Sequence, residues 1–270
     1  MGSGIAQVAA TAGIYTILFD LNTSVLASAE KNIGITLEKL VAKGKLDPAE
    51  RDGILARLHF TSNLQNCLAD FFIEAIIEKP EAKIALFNQL AELNHSECIF
   101  ATNTSSLSVT AIAKAVQKPA RVIGMHFFNP APLMKLVEIV RTPLTDQATL
   151  DITTALAARL GKIAVQCQDS PGFIVNRVAR PFYIEALRLA EQGVPYEQID
   201  GLLEATGFRM GPFRLMDLIG NDINYAVSCS VYQQLGNPDR LRPSHLQEEN
   251  VSAGKLGRKS GAGFYNYQDQ

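Results

Sequence analysis

Apolar residues in the first two-thirds of the chain follow two rhythms. Nearly continuous apolar runs at residues 15–19, 71–77, 98–102 and 122–127, with 136–140 after them, read as strands. Residues 23–43, 80–93 and 108–116 instead space their apolar positions three and four apart and read as helices. Strands that are apolar on both faces and alternate with helices predict a mostly parallel sheet covered on both sides, an α/β doubly wound domain. Residues 23–57 form a longer helical excursion, broken near Asp47-Pro48, that reads as a helical hairpin inserted into that domain. Past Gln168 the strand pattern stops until the last few residues. Residues 173–191, 196–205 and 215–235 read as helices, separated by Gly193, Gly207, Gly211-Pro212 and Gly236. The boundary falls at Asp169-Ser170-Pro171-Gly172, where Pro171 suits a helix start. The expected division is an α/β domain over residues 1–168 and an all-helical domain over 169–270, whose Gly- and Lys-rich tail is too short to be a further domain.

A length of 270 residues fits one large or two ordinary domains at about 150 residues each. With 47% apolar and 19% charged residues the chain is neither disordered nor low in complexity. Twenty-five basic residues against 27 acidic ones leave no excess to neutralise a phosphate backbone, so nucleic acid is not the expected partner. Cys67, Cys98, Cys167 and Cys229 lie far apart with no CxxC pair, which argues against a disulfide framework and a structural zinc site. His and acidic residues show no metal-ligand spacing either. No apolar run approaches the roughly 18 residues that span a bilayer, and the first basic residue is Lys31. The expectation is a cytoplasmic protein with no membrane partner.

Two places carry chemistry. The chain opens Met1-Gly2-Ser3-Gly4-Ile5, a glycine pair heading an apolar helical run, and the next strand ends in Asp20, 18 residues after Gly2. In a Rossmann-like dinucleotide fold the last glycine of G-x-G-x-x-G sits at the helix start, and an acid about 20 residues on binds the adenosine ribose hydroxyls. Asp20 stands where that acid belongs and would favour NAD, because the 2′-phosphate of NADP would meet a carboxylate. A glycine-started surface helix and a strand-ending Asp account for the same residues equally well. The first two glycines and the strand before them are missing from the pattern. A Rossmann-like sheet without its first strand is therefore expected, with poor NAD binding and weak activity. The gap would be closed by sheet collapse, by disorder near the N-terminus or by a strand from a neighbouring chain.

The second place is the run from Gly124 to Glu138, two strand-like segments about a Pro-rich turn. If they pair about Pro132, His126 and Glu138 lie six residues to either side and face each other, with Cβ atoms roughly 4.5–5.5 Å apart. A carboxylate there fixes the imidazole tautomer and stabilises the imidazolium, which makes a general base. A structural His beside an unrelated Glu is the plainer alternative.

Five stretches widen this picture: Ala101-Thr102-Asn103-Thr104-Ser105-Ser106-Leu107, HFFNPAPLMKLVEIV from His126, Asp169-Ser170-Pro171-Gly172-Phe173-Ile174-Val175-Asn176-Arg177, Met210-Gly211-Pro212-Phe213 and the closing GRKSGAGFY. By these, in order and over nearly the whole chain, it resembles the L-3-hydroxyacyl-CoA dehydrogenase family. RPFYIEALRL, FRMGPFRLMDLIG and Arg242-Pro243-Ser244 are similar to the branch that oxidises 3-hydroxyadipyl-CoA in phenylacetate breakdown.

The resemblance implies NAD as cofactor, an (S)-3-hydroxyacyl-CoA substrate and a homodimer formed through the helical domain. It implies His126 as catalytic base, Glu138 as its carboxylate partner, Ser105 as the hydrogen-bond partner of the substrate oxygen near the nicotinamide, and Asn176 as the residue that completes the substrate pocket. For the cofactor it implies Gly2 as the last glycine of the loop, with Asp20, Glu78, Lys83, Ser105 and Lys259. Asn103 and Asn129 join them at the C-terminal ends of neighbouring strands, where open α/β sheets place ligands. For coenzyme A it implies Thr36 and Lys43, with Lys39 and Lys45 completing a small basic cluster. Taken as bare residues, Ser105 reads as a helix N-cap, Asn176 as an ordinary buried helix residue and the lysines as solvated surface. Two rivals stand beside the enzyme: a non-catalytic, nucleotide-binding or bulk structural member of the family, and a sugar-acid dehydrogenase of the same superfamily. The HFFNPAPLMKLVEIV run disfavours the second.

Overall fold

Strands and helices alternate through residue 168 in the computed structural model, which describes residues 1–268. They run α1 (Gly2–Thr11), β1 (Thr16–Phe19), α2 (Thr23–Ala42), α3 (Pro48–Ala56), β2 (Leu58–Thr61), β3 (Phe71–Glu74) and α4 (Pro80–Leu93). Then come β4 (Ile99–Thr102), α5 (Val109–Lys114), β5 (Val122–Phe127), β6 (Leu136–Arg141), α6 (Gln147–Arg159) and β7 (Ile163–Gln168). The later helices are α7 (Val175–Glu191), α8 (Tyr196–Ala205), α9 (Pro212–Ile219), α10 (Asn221–Gln234) and α11 (His245–Ser252). The chain divides into two units after Asp169.

In the first unit β3-β4-β5-β6-β7 form one sheet, with β5 and β6 antiparallel and the other pairs parallel. β1 and β2 form a separate parallel pair. The helical excursion, α2 and α3, is the crossover that joins them. Its break is sharp because Asp47 caps α3 in a reciprocal capping box with Glu50 and Pro48 opens the helix. Among the described residues no ladder joins the β1–β2 pair to β3. Helix α1, intact from Gly2, bridges the two sheets: Ile5 and Val8 enter the core of the five-stranded sheet, while Ala10 packs with Ile33, Leu37 and Ile54 of α2 and α3.

β4 and β5 are buried along their whole length, as their continuous apolar sequences require. Ile99, Ala101, Ile123, Met125, Val137 and Ile139 pack on one face with α1 and with Leu150 and Ala157 of α6. Phe100 faces the other way, stacked on Phe72 and tilted against Phe87 of α4. Each large side chain among them contributes about 1.5–3 kcal/mol by leaving water. This core fixes the strand ends on which the site is built.

The second unit gathers Tyr183, Ala186 and Leu187 of α7, Ile199 of α8, and Phe213 and Met216 of α9. The run 215–235, expected as one helix, is two, because Gly220 takes φ +106 between α9 and α10. The helix expected to begin near Pro171 begins at Val175, since Phe173 turns the chain at φ 48. The closing tail is anchored by two buried acids. Asp217 accepts from Asn221 Nδ2 at 2.8 Å, from the Phe264 and Tyr265 N–H groups at 3.0 Å and from the Tyr267 hydroxyl at 3.1 Å. Asp200 accepts from the Phe213 N–H and, at 2.7 Å, from the Tyr265 hydroxyl. No helix among the described residues is long and apolar enough to cross a membrane.

Candidate active site

The antiparallel register of β5 and β6 sets His126 directly opposite Glu138, as symmetry about Pro132 requires. Gly124 makes close pairing possible two residues earlier: a Cβ there would lie 2.6 Å from Cβ of Val140. The turn between the strands is held by Lys162, whose Nζ donates to the carbonyls of Ala131 at 2.6 Å and Met134 at 2.9 Å. Burial of Lys162 pushes its ammonium below the usual lysine range.

His126 Nδ1 lies 2.7 Å from Glu138 Oε2, with His126 4% and Glu138 1% exposed. A carboxylate at that distance accepts a hydrogen bond from Nδ1–H and leaves Nε2 as the basic nitrogen. Nε2 faces the Ser105 hydroxyl at 3.0 Å. Phe128 covers the imidazole, its ring centroid 4.7 Å away. Glu138, His126 and Ser105 thus form a hydrogen-bonded line across the C-terminal ends of β4 and β5 and the facing part of β6.

Ser105 sits in a turn gathered by Glu78. Glu78 Oε1 accepts from the Thr104 hydroxyl, from the Ser105 N–H at 3.0 Å and from the Ser106 N–H and hydroxyl at 3.3 Å. Its other oxygen, Oε2, lies 3.1 Å from the Lys83 ammonium. Lys83 is fully buried and also meets Glu74 Oε1 at 2.7 Å. Glu74 accepts in addition from the Thr102 hydroxyl and the Ile76 N–H, both at 2.7 Å. Asn103 ties β4 to β5 by accepting the Phe127 N–H at 2.7 Å, one residue from His126.

Of the residues expected at the site, Ser105, His126, Glu138, Glu78, Lys83 and Asn103 form one connected network. Asn129 follows β5 in the exposed turn, and Asp20 follows β1, half-buried, where its Oδ1 accepts the Asn22 N–H at 2.9 Å. Gly2 opens α1, which has no side-chain cap. Thr36 and Lys43 are exposed on and just after α2, with the Thr36 hydroxyl turned back to the Asn32 carbonyl. Asn176 and Lys259 belong to the second unit. Asn176 lies in the first turn of α7, where its carbonyl accepts from Arg180, and Lys259 is paired with Asp222 at 2.6 Å. Glu74 and Lys162 were not anticipated. For Glu74 a signal existed: a lone acid inside the apolar run FFIEAII has to find a buried partner.

Residues 1–170 match the NAD binding domain of 3-hydroxyacyl-CoA dehydrogenases, and residues 172–267 match their C-terminal domain. The chain belongs to the 3-hydroxyacyl-CoA dehydrogenase family. It is 45% identical over 271 residues to a 3-hydroxyadipyl-CoA dehydrogenase of Escherichia coli, covering 99% of this chain but 57% of that relative. It is 44% identical to a probable 3-hydroxybutyryl-CoA dehydrogenase of Deinococcus radiodurans, covering 99% of this chain and 96% of the relative. The crystal structure of an Escherichia coli 3-hydroxybutyryl-CoA dehydrogenase superposes with a TM-score of 0.96 at 45% identity, over all of this chain and 58% of that one.

The residues present fit a dinucleotide. The uncapped first turn of α1 offers N–H donors and a positive dipole end to a pyrophosphate. The Asp20 carboxylate stands at the end of β1, as a ribose diol requires.

Proposed function

We propose that the chain oxidises (S)-3-hydroxyacyl-CoA to 3-oxoacyl-CoA with NAD, using His126 as the general base. The observation that carries this reading is the line Glu138–His126–Ser105, a buried carboxylate behind an imidazole whose outer nitrogen faces a hydroxyl. Bound NAD supplies the acceptor for the hydride that leaves C3. His126 Nε2 takes the proton of the C3 hydroxyl, and Glu138 stabilises the imidazolium that forms. Ser105 orients the substrate oxygen toward Nε2, and Asn176 is assigned to the same oxygen, both acting by orientation and electrostatics. Phe128 and the burial of the dyad keep water from the imidazole.

Gly2, Asp20, Glu78, Lys83, Asn103, Asn129 and Lys259 serve the cofactor side, Lys83 by way of Glu78. Thr36 and Lys43 serve coenzyme A. Residues 1–168 form the NAD-binding part and 169–270 the substrate and dimerisation part of a cytoplasmic homodimer. The identity to the Escherichia coli relative favours 3-hydroxyadipyl-CoA as the acyl substrate.

Replacing the base tests the reading. His126→Gln is expected to lower kcat by about two to four orders of magnitude with little change in KM. Glu138→Gln is expected to lower kcat and to shift the acid limb of the pH–rate profile. Near-normal kcat in a folded His126→Gln variant would remove His126 from the mechanism.

A further inference from the structure

We propose that the buried Glu74–Lys83 ion pair is a positioning element of the active site, which aims Glu78 at the 104–106 turn and so keeps the Ser105 hydroxyl on His126. The inference rests on the roles given above to Ser105 and His126.

A lysine ammonium with no exposure is costly unless its charge is met, and here two carboxylates meet it. Glu74 is itself fixed from two sides, by the Thr102 hydroxyl on β4 and by the Ile76 N–H after β3, so Lys83 is held at a set place against the sheet. The ammonium then claims one oxygen of Glu78, and the other is left to the turn. That oxygen collects four donors from Thr104, Ser105 and Ser106, including the backbone N–H of Ser105 itself. Ser105 is thereby fixed through its main chain, and its hydroxyl falls 3.0 Å from Nε2. Glu78 is partly exposed, its side chain at 39%, and the ammonium behind it adds to the four donors of the turn in selecting the rotamer that gathers it. The path runs from Glu74 through Lys83 and Glu78 to Ser105.

The test uses the paired variant Glu74→Gln/Lys83→Met, which removes both buried charges together and so avoids stranding one of them; such replacements are often neutral for stability. The expected result is a melting temperature near that of the intact protein. With acetoacetyl-CoA and NADH, kcat is expected to fall about 10- to 100-fold and KM to change little. In a Ser105→Ala background the same pair of substitutions should cost nothing further, because the group it positions is gone. The ring nitrogen signals of His126 in NMR should move in the same sense in the paired variant as in Ser105→Ala. A kcat loss that adds in full to that of Ser105→Ala, or unmoved His126 signals, would overturn the proposal. If the paired variant does not fold, Glu74→Gln alone is read by the same cycle and the same signals. A Ser105→Ala enzyme with normal kcat is a different outcome, which overturns the catalytic reading of Ser105 and the positioning role with it.

Discussion

Burial on its own would raise the Glu78 carboxyl, but the Thr104 hydroxyl, the Lys83 charge and the Ser105 N–H outweigh it and hold the carboxyl below its usual range. A carboxylate depressed in the folded state stabilises that state above its ordinary pKa of 4.5, and the gain is lost as pH falls through the lowered value. Melting temperatures measured from neutral pH down to about pH 3 should therefore fall less steeply below pH 4.5 in Glu78→Gln than in the intact protein. Equal slopes would mean that Glu78 contributes no such linkage. The His126–Glu138 pair was legible because two strands of one hairpin carry it at equal distances from Pro132. Lys83 read as a bare surface charge because a sequence does not show which face of α4 meets the sheet. Its partner Glu74 lay in plain view in an apolar strand.

At the scale of elements, strands with nearly continuous apolar runs were readable and strands of mixed sequence were not. β2 and β7 each close one side of a sheet and are only partly buried, so their sequences LHFT and IAVQCQ alternate instead of running apolar. Helix α6 was hidden by Thr149 and Thr153, which occupy its buried face and break the apolar period. The division of the sheet has its own consequence. The Thr16 N–H donates to the Arg57 carbonyl just before β2 and the Asp20 N–H to Thr61 of β2, while the Asp70 and Glu74 carbonyls accept from Ile99 of β4 and from Asn103 just after it. By the alternation of a parallel ladder, Ile17 and Phe19 on β1 and Phe71 and Ile73 on β3 turn their backbone groups away from those partners. In hydrogen exchange, these four amides are expected to exchange much faster than those of Ala101 in β4 or Ile123 in β5. Uniform protection across β1, β3, β4 and β5 would mean that the edges are satisfied by pairing.

On the scale of the whole molecule, both units match the two domains of one enzyme family, and the chain spans just over half of its Escherichia coli relative but nearly all of the Deinococcus radiodurans one. Those relatives carry different substrate names. The reaction proposed for this chain is an NAD-linked one at C3 of an acyl-CoA. It is tested most directly by the fall in NADH absorbance when the purified chain receives acetoacetyl-CoA at saturating NADH, beside parallel runs with a sugar acid plus NAD and with His126→Gln. Turnover of acetoacetyl-CoA that needs His126, with none of the sugar acid, is the expected result. No turnover of acetoacetyl-CoA by the folded chain, or turnover that survives the loss of His126, would contradict it.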